Sequence, residues 1–164
     1  MNTPATMPAD ASPIASSSTE AVLRSQLLKT AQQLDTLGLN RGTSGNVSAR
    51  VSSSYWLVTP SGVPVDKLSA EAMVLMDFEG KPASNGKPSS EWRFHHDILV
   101  GRSDVGAVVH THSRFATAFS CLQKDIPAFH YMIAAAGGDS IRCCPYALFG
   151  SQALSDLALT ALEN

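Results

Sequence analysis

The sequence predicts an α/β or α+β protein built around a mostly antiparallel β-sheet flanked by helices. Short runs rich in β-branched residues, such as residues 105–109, alternate along the chain with segments whose apolar residues recur at helical spacing. The turns between neighbouring runs contain glycine, proline or serine and are short enough to form hairpins. The 164 residues show no internal repeat and suffice for one domain with a substantial core.

The N-terminal region predicts a disordered tail over residues 1–18, followed by a single domain over residues 19–164. The tail consists mainly of proline, alanine, serine and threonine and has too little apolar bulk to offset its own ordering. Ser17 and Glu20 have the spacing of a helix-capping box. Apolar residues then follow at helical spacing, and Gly38 is suited to end this first helix.

The remaining elements follow from the same periodicities, with Ser89 or Ser90 expected to cap the second helix and Ser151 the last one. In chain order we predict strands at residues 47–51, 55–58 and 74–77, a helix at 91–100, a strand running up to His112, a helix near 115–122, short strands at 126–129 and 141–143, and a helix at 152–162.

Composition and charge exclude several classes of protein. The net charge of −2 argues against nucleic acid or an anionic membrane as the main partner. No apolar stretch approaches the roughly 18–20 residues that span a bilayer, and the start of the chain lacks a secretory leader pattern. Three cysteines do not make a disulfide framework, and the adjacent Cys143 and Cys144 would face opposite ways on a strand. We therefore expect a cytoplasmic protein with reduced thiols.

The most informative pair in the chain is His110 and His112. They end an apolar, β-branched run that predicts a buried strand, and side chains two residues apart on a strand point to the same side. Two imidazoles at this spacing suit Zn²⁺ or a similar divalent ion, with a carboxylate from elsewhere as a further ligand. The alternative is one hydrogen-bonded core histidine beside one surface histidine.

Glu91, about twenty residues upstream, is the candidate carboxylate. In the first turn of a predicted helix it complements the helix dipole, and it equally suits a general acid/base beside a metal ion. His95 lies four residues further on the same helix face and remains a competing ligand. His96 faces about 100° away from His95, so the two cannot both bind one ion.

Three short segments combine glycine with hydroxyl or amide side chains, which predicts an anion site. Glycine permits close approach of the backbone, and free N–H groups and serine hydroxyls are good phosphate donors. One of the segments, residues 89–90, also lies at a predicted helix N-terminus, where the dipole favours an anion. Each segment alone is typical of an ordinary turn or cap. The candidate residues are Gly45, Asn46, Ser61, Gly62, Ser89 and Ser90.

Tyr131 precedes a run of small residues at 133–138 that permits close packing, for example of subunits. Judged locally, Tyr131 is either a packed aromatic or a proton donor. His130 follows a predicted strand and is interpreted as structural.

These motifs resemble the class II aldolase/adducin family, and within it the members that act on L-fuculose 1-phosphate. The resemblance runs in order over residues 20–164 and covers everything but the tail. The matching stretches are LGLNRGTSGNVSAR, VTPSGVPVDKL, GKPSSEWRFHHDI, AVVHTHS, IPAFHYMIAAAGGDSI and PYALFGSQALS.

The resemblance implies an α/β fold in an α+β-like three-layer arrangement, assembled as a homotetramer with active sites between subunits. It implies zinc-dependent retro-aldol cleavage of a ketose 1-phosphate to dihydroxyacetone phosphate and an aldehyde, with one Zn²⁺ per subunit. His110 and His112 match two zinc-binding histidines, and Glu91 matches a carboxylate that contacts zinc and acts as acid/base. Tyr131 matches a tyrosine that donates a proton in the neighbouring subunit's site. The positions matching the substrate-phosphate site are Gly45, Asn46, Ser61, Gly62, Ser89 and Ser90.

One departure from the family's pattern concerns its third zinc histidine, which lies on a strand beyond the position of Asn164. We therefore expect the 164-residue chain to be incomplete at its C-terminus, weakly active or inactive, and poorly stable. A pentulose-phosphate 4-epimerase of the same family and a non-catalytic, adducin-like binding module remain alternatives. The sequence leaves open the aldehyde half of the substrate and the choice among Zn²⁺, Mn²⁺ and Co²⁺.

Overall fold

A computed structural model describes residues 13–136 and 138–163 of the protein. Its regular elements are α1 (Pro13–Thr36), β1 (Asn46–Arg50), β2 (Tyr55–Val58), β3 (Val74–Asp77), α2 (Trp92–Gly101), β4 (Ala107–His110), α3 (Arg114–Cys121) and α4 (Gln152–Ala161), with 3-10 turns at Val65–Lys67 and Tyr131–Ala136.

The four strands form one antiparallel sheet in the order β3-β2-β1-β4. The first two strands form the predicted hairpin, and β4 returns from α2 to pair with the free side of β1. In the β1–β4 register, Asn46 lies opposite His110. The ends of the two strands that carry candidate site residues are therefore immediate neighbours.

Helices cover both faces of the sheet, which confirms the predicted fold class. On one face, Leu27 and Leu34 of α1 pack in a core with Val47 and Leu57. On the opposite face, the buried residues of the core are Trp56, Val58, Val74, Met76 and, from α2, Leu99. Successive strand residues enter opposite layers because side chains alternate along a strand. Helix α4 then packs against α2.

Several predicted boundaries are confirmed. Gly38 lies just after α1 with a left-handed φ of +69°, and its N–H donates to Asp35 O at 2.9 Å, which suits a glycine at a helix C-terminus. Ser151 caps α4, its hydroxyl oxygen accepting a hydrogen bond from Leu154 N at 3.2 Å.

The start of α1 lies earlier than predicted. The helix begins at Pro13, so residues 13–18, which the sequence assigned to the disordered tail, are helical and the Ser17 capping box lies inside the helix. Residues 1–12, the rest of the predicted tail, lie outside the described residues. The helix thus extends beyond its apolar segment into polar residues, so the polarity of the sequence did not predict where α1 begins.

Two further strand predictions and one cap differ from the structure. The segments 126–129 and 141–143, predicted to be strands, form only a single antiparallel bridge, between Ile126 and Ile141. The N-cap position of α2 is Glu91, rather than Ser89 or Ser90, and its side chain makes no capping hydrogen bond.

Strand β4 is at the edge of the sheet and is not buried as predicted. Val109 is 52% exposed and Val108 is partly buried, because the described residues cover only one face of this strand. Within the described residues, no helix combines the length and apolarity needed to cross a membrane.

Candidate metal centre and anion cleft

The two candidate histidines lie together at the end of β4. His110 is the last residue of the strand, and the ring of His112 lies with its centroid 4.7 Å from that of His110. Both rings therefore project to one side, as the spacing predicted. The backbone N–H of His112 donates to Leu39 O at 3.1 Å and to Asn40 Oδ1 at 3.0 Å, which ties the residue after β4 to the loop before β1.

Glu91 lies against these histidines from the start of α2. Its Oε2 is 3.1 Å from His110 Nδ1, and Glu91, His110 and His112 each offer a ligand atom within 4.8 Å of the others. One carboxylate and two imidazoles form a donor set that suits a divalent cation. Of these three side chains, His112 is exposed and the other two are half-buried, so the cluster opens to solvent on one side.

Asn46, the first residue of β1, holds the Glu91 carboxylate by a hydrogen bond. Its Nδ2 donates to Glu91 Oε2 at 2.9 Å and to Ser89 Oγ at 3.0 Å, and the residue is 7% exposed. Partial burial raises the pKa of Glu91. Hydrogen bonds from His110 and Asn46 and the charges of His110 and His112 outweigh this effect, and the net shift of the pKa is downward. Glu91 is therefore held as a carboxylate at neutral pH.

His112 is shifted toward its neutral form. Burial and the neighbouring His110 lower the pKa of His112, and the charge of Glu91 opposes this shift only in part. A neutral imidazole and an ionised carboxylate are the protonation states that bind a metal ion.

His95 is not an available ligand, which settles the alternative left open by its spacing from Glu91. The side chain is fully buried, with Nδ1 2.8 Å from Ser48 Oγ and Nε2 hydrogen-bonded to Asn46 Oδ1. Burial lowers the pKa of His95 to about 3, an effect that His110 reinforces and Glu91 opposes. His95 is therefore neutral, and both of its nitrogens are already used.

A cleft beside Glu91, His110 and His112 is bordered by the predicted anion-binding segments. Two of the stretches that border it pair antiparallel through a bridge between Pro60 and Pro88, where Ser61 N donates to Lys87 O at 2.9 Å and Ser89 N donates to Thr59 O at 3.0 Å. This pairing brings the 61–62 turn next to the start of α2. The residues that line the cleft are Thr43, Ser44, Gly45, Asn46, Pro60, Ser61, Gly62, Ser89, Ser90, Glu91, His112 and Phe149.

The hydroxyl of Ser89 is arranged to donate. Its oxygen accepts hydrogen bonds from Asn46 Nδ2 at 3.0 Å and from Glu91 N at 3.3 Å. Because a serine hydroxyl has two acceptor positions and one proton, the proton of Ser89 remains for a further acceptor. The lining residues include no lysine or arginine, so an anion in this cleft would meet neutral donors.

All six predicted anion-site residues line this one cleft, but Tyr131 does not. Tyr131 is 80% exposed in the 3-10 turn Tyr131–Ala136, and its ring stacks on His130 with centroids 4.5 Å apart. His130 Nδ1 accepts a hydrogen bond from Met132 N at 3.2 Å, which is consistent with a local structural role.

Sequence reasoning missed Asn40 and Phe149 as contributors to the site, and it considered His95 only as a ligand. Asn40 holds the backbone at His112, and His95 holds Asn46. Phe149 reaches the cleft because Gly150 lies against Ser90, where an added Cβ would be 2.4 Å from the Ser90 carbonyl oxygen. The glycine between Phe149 and Ser151 was the one local signal of such a close approach.

Comparison with known proteins identifies the family. Residues 25–164 match the family described as the class II aldolase and adducin N-terminal domain. The chain belongs to this family.

Named class II aldolase relatives are longer than this chain. A 5-methylthioribulose-1-phosphate/5-deoxyribulose-1-phosphate aldolase from Rhodospirillum rubrum is 54% identical over 142 residues, which are 87% of this chain and 64% of the relative. The L-fuculose phosphate aldolase of Escherichia coli is 49% identical over 142 residues, 87% of this chain and 66% of the relative. A solved L-fuculose 1-phosphate aldolase structure is similar with a TM-score of 0.80 at 34% identity, covering 84% of this chain and 66% of that one. The chain thus spans slightly less than two thirds of the length of these relatives.

The contact between Gly45 and Asn40 can be tested with a matched pair of alanine substitutions. Gly42 and Gly45 both have left-handed φ values, +63° and +73°, but a Cβ at Gly42 meets nothing within 4 Å, whereas one at Gly45 lies 2.2 Å from Asn40 Nδ2. Gly42→Ala should cost about 1–2 kcal/mol of unfolding free energy for its φ alone. Gly45→Ala should cost roughly 1 kcal/mol more, because Asn40 loses its bond to His112. Equal losses in urea unfolding would contradict this account.

The buried neutral state of His95 predicts a pH dependence of stability. The pKa is about 3 in the folded protein and 6.5 as the ordinary value, so unfolding takes up a proton between these pH values. The contribution of His95 is complete above pH 6.5 and is lost as the pH falls toward 3, by about 2 kcal/mol at pH 5. His95→Gln should flatten this part of the curve of unfolding free energy against pH. His130→Gln, at an exposed histidine, is the control, and parallel curves for His95→Gln and the parent would disprove the assignment.

Proposed function

We propose that the full-length protein cleaves a ketose 1-phosphate by a retro-aldol reaction, releasing dihydroxyacetone phosphate and an aldehyde, with one Zn²⁺ per subunit. The observation that carries the proposal is the cluster of Glu91, His110 and His112, whose ligand atoms lie within 4.8 Å of one another beside a hydroxyl-lined cleft. The named relatives of the family are aldolases that act on sugar phosphates.

The donor set fits a divalent cation held by Glu91, His110 and His112. Because His110 Nδ1 faces the Glu91 carboxylate, the lone pair on Nε2 of a neutral His110 remains for a ligand bond. The directions of the Glu91 and His112 pKa shifts favour the metal-binding protonation state of each group. A cation bound there would stabilise the negative charge that develops on substrate oxygens as the carbon–carbon bond breaks.

The substrate phosphate would be held by the cleft. Ser61, Ser89 and Ser90 line this cleft, and the hydroxyl proton of Ser89 remains for an acceptor there. The glycines at positions 45 and 62 leave room for an anion to approach the backbone. Binding energy from the phosphate would orient the carbons that react next to Glu91.

Glu91 is proposed as the acid/base that moves the proton at the carbon released from the broken bond. Its lowered pKa keeps it ionised in the resting protein, so the proton that it delivers to this carbon is one that it first takes up. The substrate hydroxyl that becomes the aldehyde oxygen loses a proton as the bond breaks. The hydrogen bond from Asn46 fixes Oε2, so the second carboxylate oxygen is left for proton transfer.

The printed names of the relatives suggest candidates for the substrate of this protein: L-fuculose 1-phosphate, 5-methylthioribulose 1-phosphate and 5-deoxyribulose 1-phosphate. These ketose phosphates share the half that leaves as dihydroxyacetone phosphate and differ in the aldehyde half. The cleft between the 61–62 turn and α2 is proposed to bind the shared half.

The reaction can be tested by incubating the full-length gene product with each ketose 1-phosphate and measuring dihydroxyacetone phosphate. We expect release that a chelator abolishes and Zn²⁺ restores. Glu91→Gln should lower kcat by about 10²–10⁴-fold, the usual contribution of a general acid/base. The control is Glu79→Gln, at an exposed carboxylate paired with Lys81. Epimerised substrate without release would indicate the 4-epimerase, and ligand binding without turnover would indicate a binding module.

The proposed homotetramer, with Tyr131 donating a proton in the neighbouring subunit's site, predicts complementation. Tyr131 is exposed and outside its own cleft, as a group serving a neighbouring site would be. Tyr131→Phe and Glu91→Gln proteins should each be inactive alone. Subunits mixed by reversible dissociation should regain roughly a quarter of parent activity, since one site in four combines both intact residues. Activity no higher than the sum of the separate proteins would show that Tyr131 does not act across subunits.

A further inference from the structure

A chain of hydrogen bonds runs from the interior of the sheet to the proposed catalytic residues. Ser48 Oγ lies 2.8 Å from His95 Nδ1, His95 Nε2 contacts Asn46 Oδ1, and the Asn46 amide nitrogen reaches both Ser89 and Glu91. We propose that His95 is a positioning residue that fixes the Asn46 amide, and through it both the metal-side carboxylate and a hydroxyl of the phosphate cleft. This inference rests on the proposed function, because that function gives those two groups their roles.

The direction of each hydrogen bond follows from the chemistry of the groups. The carbonyl oxygen of Asn46 can only accept, so the bond at 2.5 Å requires a proton on His95 Nε2. A neutral imidazole carries one N–H, so Nδ1 must accept, and Ser48 donates to it. The Asn46 carbonyl therefore selects the tautomer of His95, and Ser48 satisfies the remaining ring nitrogen.

The Asn46 amide then has a single favourable orientation. Its two N–H groups point to Glu91 Oε2 at 2.9 Å and Ser89 Oγ at 3.0 Å. A rotated amide would present its oxygen to the Glu91 carboxylate, which only accepts, and would replace that attraction with repulsion. With His95 in place, the carboxylate and the Ser89 oxygen are held at the same time by one group.

The burial of this network keeps its side chains in fixed orientations. Ser48 and His95 are both fully buried, and Asn46 is 7% exposed. Because water has little access, a lost hydrogen bond is not replaced, and the partner group is left free to rotate. The ring of Phe94 stacks on His95 at 4.5 Å and meets His110 edge-on at 5.1 Å, which also restrains the imidazole planes.

The next residue on the same helix provides a matched control. His96 Nε2 donates to Phe78 O at 3.1 Å, and its ring lies about 6 Å from those of Trp56 and Trp92. Its Nδ1 is paired with Asp97 Oδ1 at 2.7 Å, and its side chain makes no hydrogen bond to a residue of the network. His96→Leu therefore removes a partly buried histidine from the same helix without touching Asn46.

The experiment compares His95→Leu, His95→Gln and His96→Leu in the full-length gene product. Glutamine retains an N–H close to the place of imidazole Nε2, whereas leucine retains only the bulk. Three quantities are measured: affinity for Zn²⁺ by chelator competition, affinity for inorganic phosphate by calorimetry, and release of dihydroxyacetone phosphate. Ser48→Ala, which removes only the hydroxyl bonded to His95 Nδ1, is the second variant should His95→Leu not fold.

We expect His95→Leu to weaken both Zn²⁺ and phosphate binding by about 10–100-fold, the usual effect of losing a partner that orients a metal-site group. His95→Gln should stay within roughly threefold of the parent, and His96→Leu should bind both ligands like the parent while losing unfolding stability. Ser48→Ala should shift both affinities in the same direction as His95→Leu by a smaller factor.

Parent-like binding by His95→Leu, or equal losses for His95→Gln and His95→Leu, would overturn the inference. These ligand affinities do not depend on turnover. If the parent releases no dihydroxyacetone phosphate, the proposed reaction is wrong, and the difference between the Gln and Leu variants still decides the role of His95.

Discussion

The pairing register of β1 with β4 is the constraint on which the candidate site depends. Asn46 lies opposite His110 in this ladder, so an amide from one strand and an imidazole from the next share one face of the sheet. A slip of one residue would turn every side chain of β4 to the opposite face. His110 would then leave Glu91, and the His112 amide would leave Asn40. The register is in turn stabilised by the core on one face of β1, where Val47 and Ala49 pack toward α1.

Much of the fold could be predicted because its signals are local. The hairpin, β3, α2 and α4 follow from apolar periodicity and turn residues, and Gly38 and Ser151 mark helix ends by backbone chemistry. The segments around Ile126 and Ile141 have strand-like composition but pair only once, since a ladder depends on a partner as well as on propensity. The burial of β4 was overestimated for the same reason: an apolar strand is covered only if another element lies on it.

The candidate site was predictable where residue type and spacing carry the chemistry. The His-x-His spacing, the carboxylate at the start of a helix and the glycine–hydroxyl turns all lie around one cleft. The sequence did not reveal the buried residues that hold these groups in place. The alternating polar residues of β1 are typical of a strand with one face in water, yet Asn46 and Ser48 are buried under α2. Only the tertiary packing of α2 on this face shows that His95 completes their hydrogen bonds.

Strand β4 also has a consequence beyond the histidines that it carries. It is the last strand on its side of the sheet within the described residues, so its outer backbone N–H and C=O groups form an open template for another strand. A segment that docked there would extend the sheet directly past His110. Its side chains would then stand next to the imidazoles, and the composition of the ligand shell would change without any movement of α2 or the serine turns.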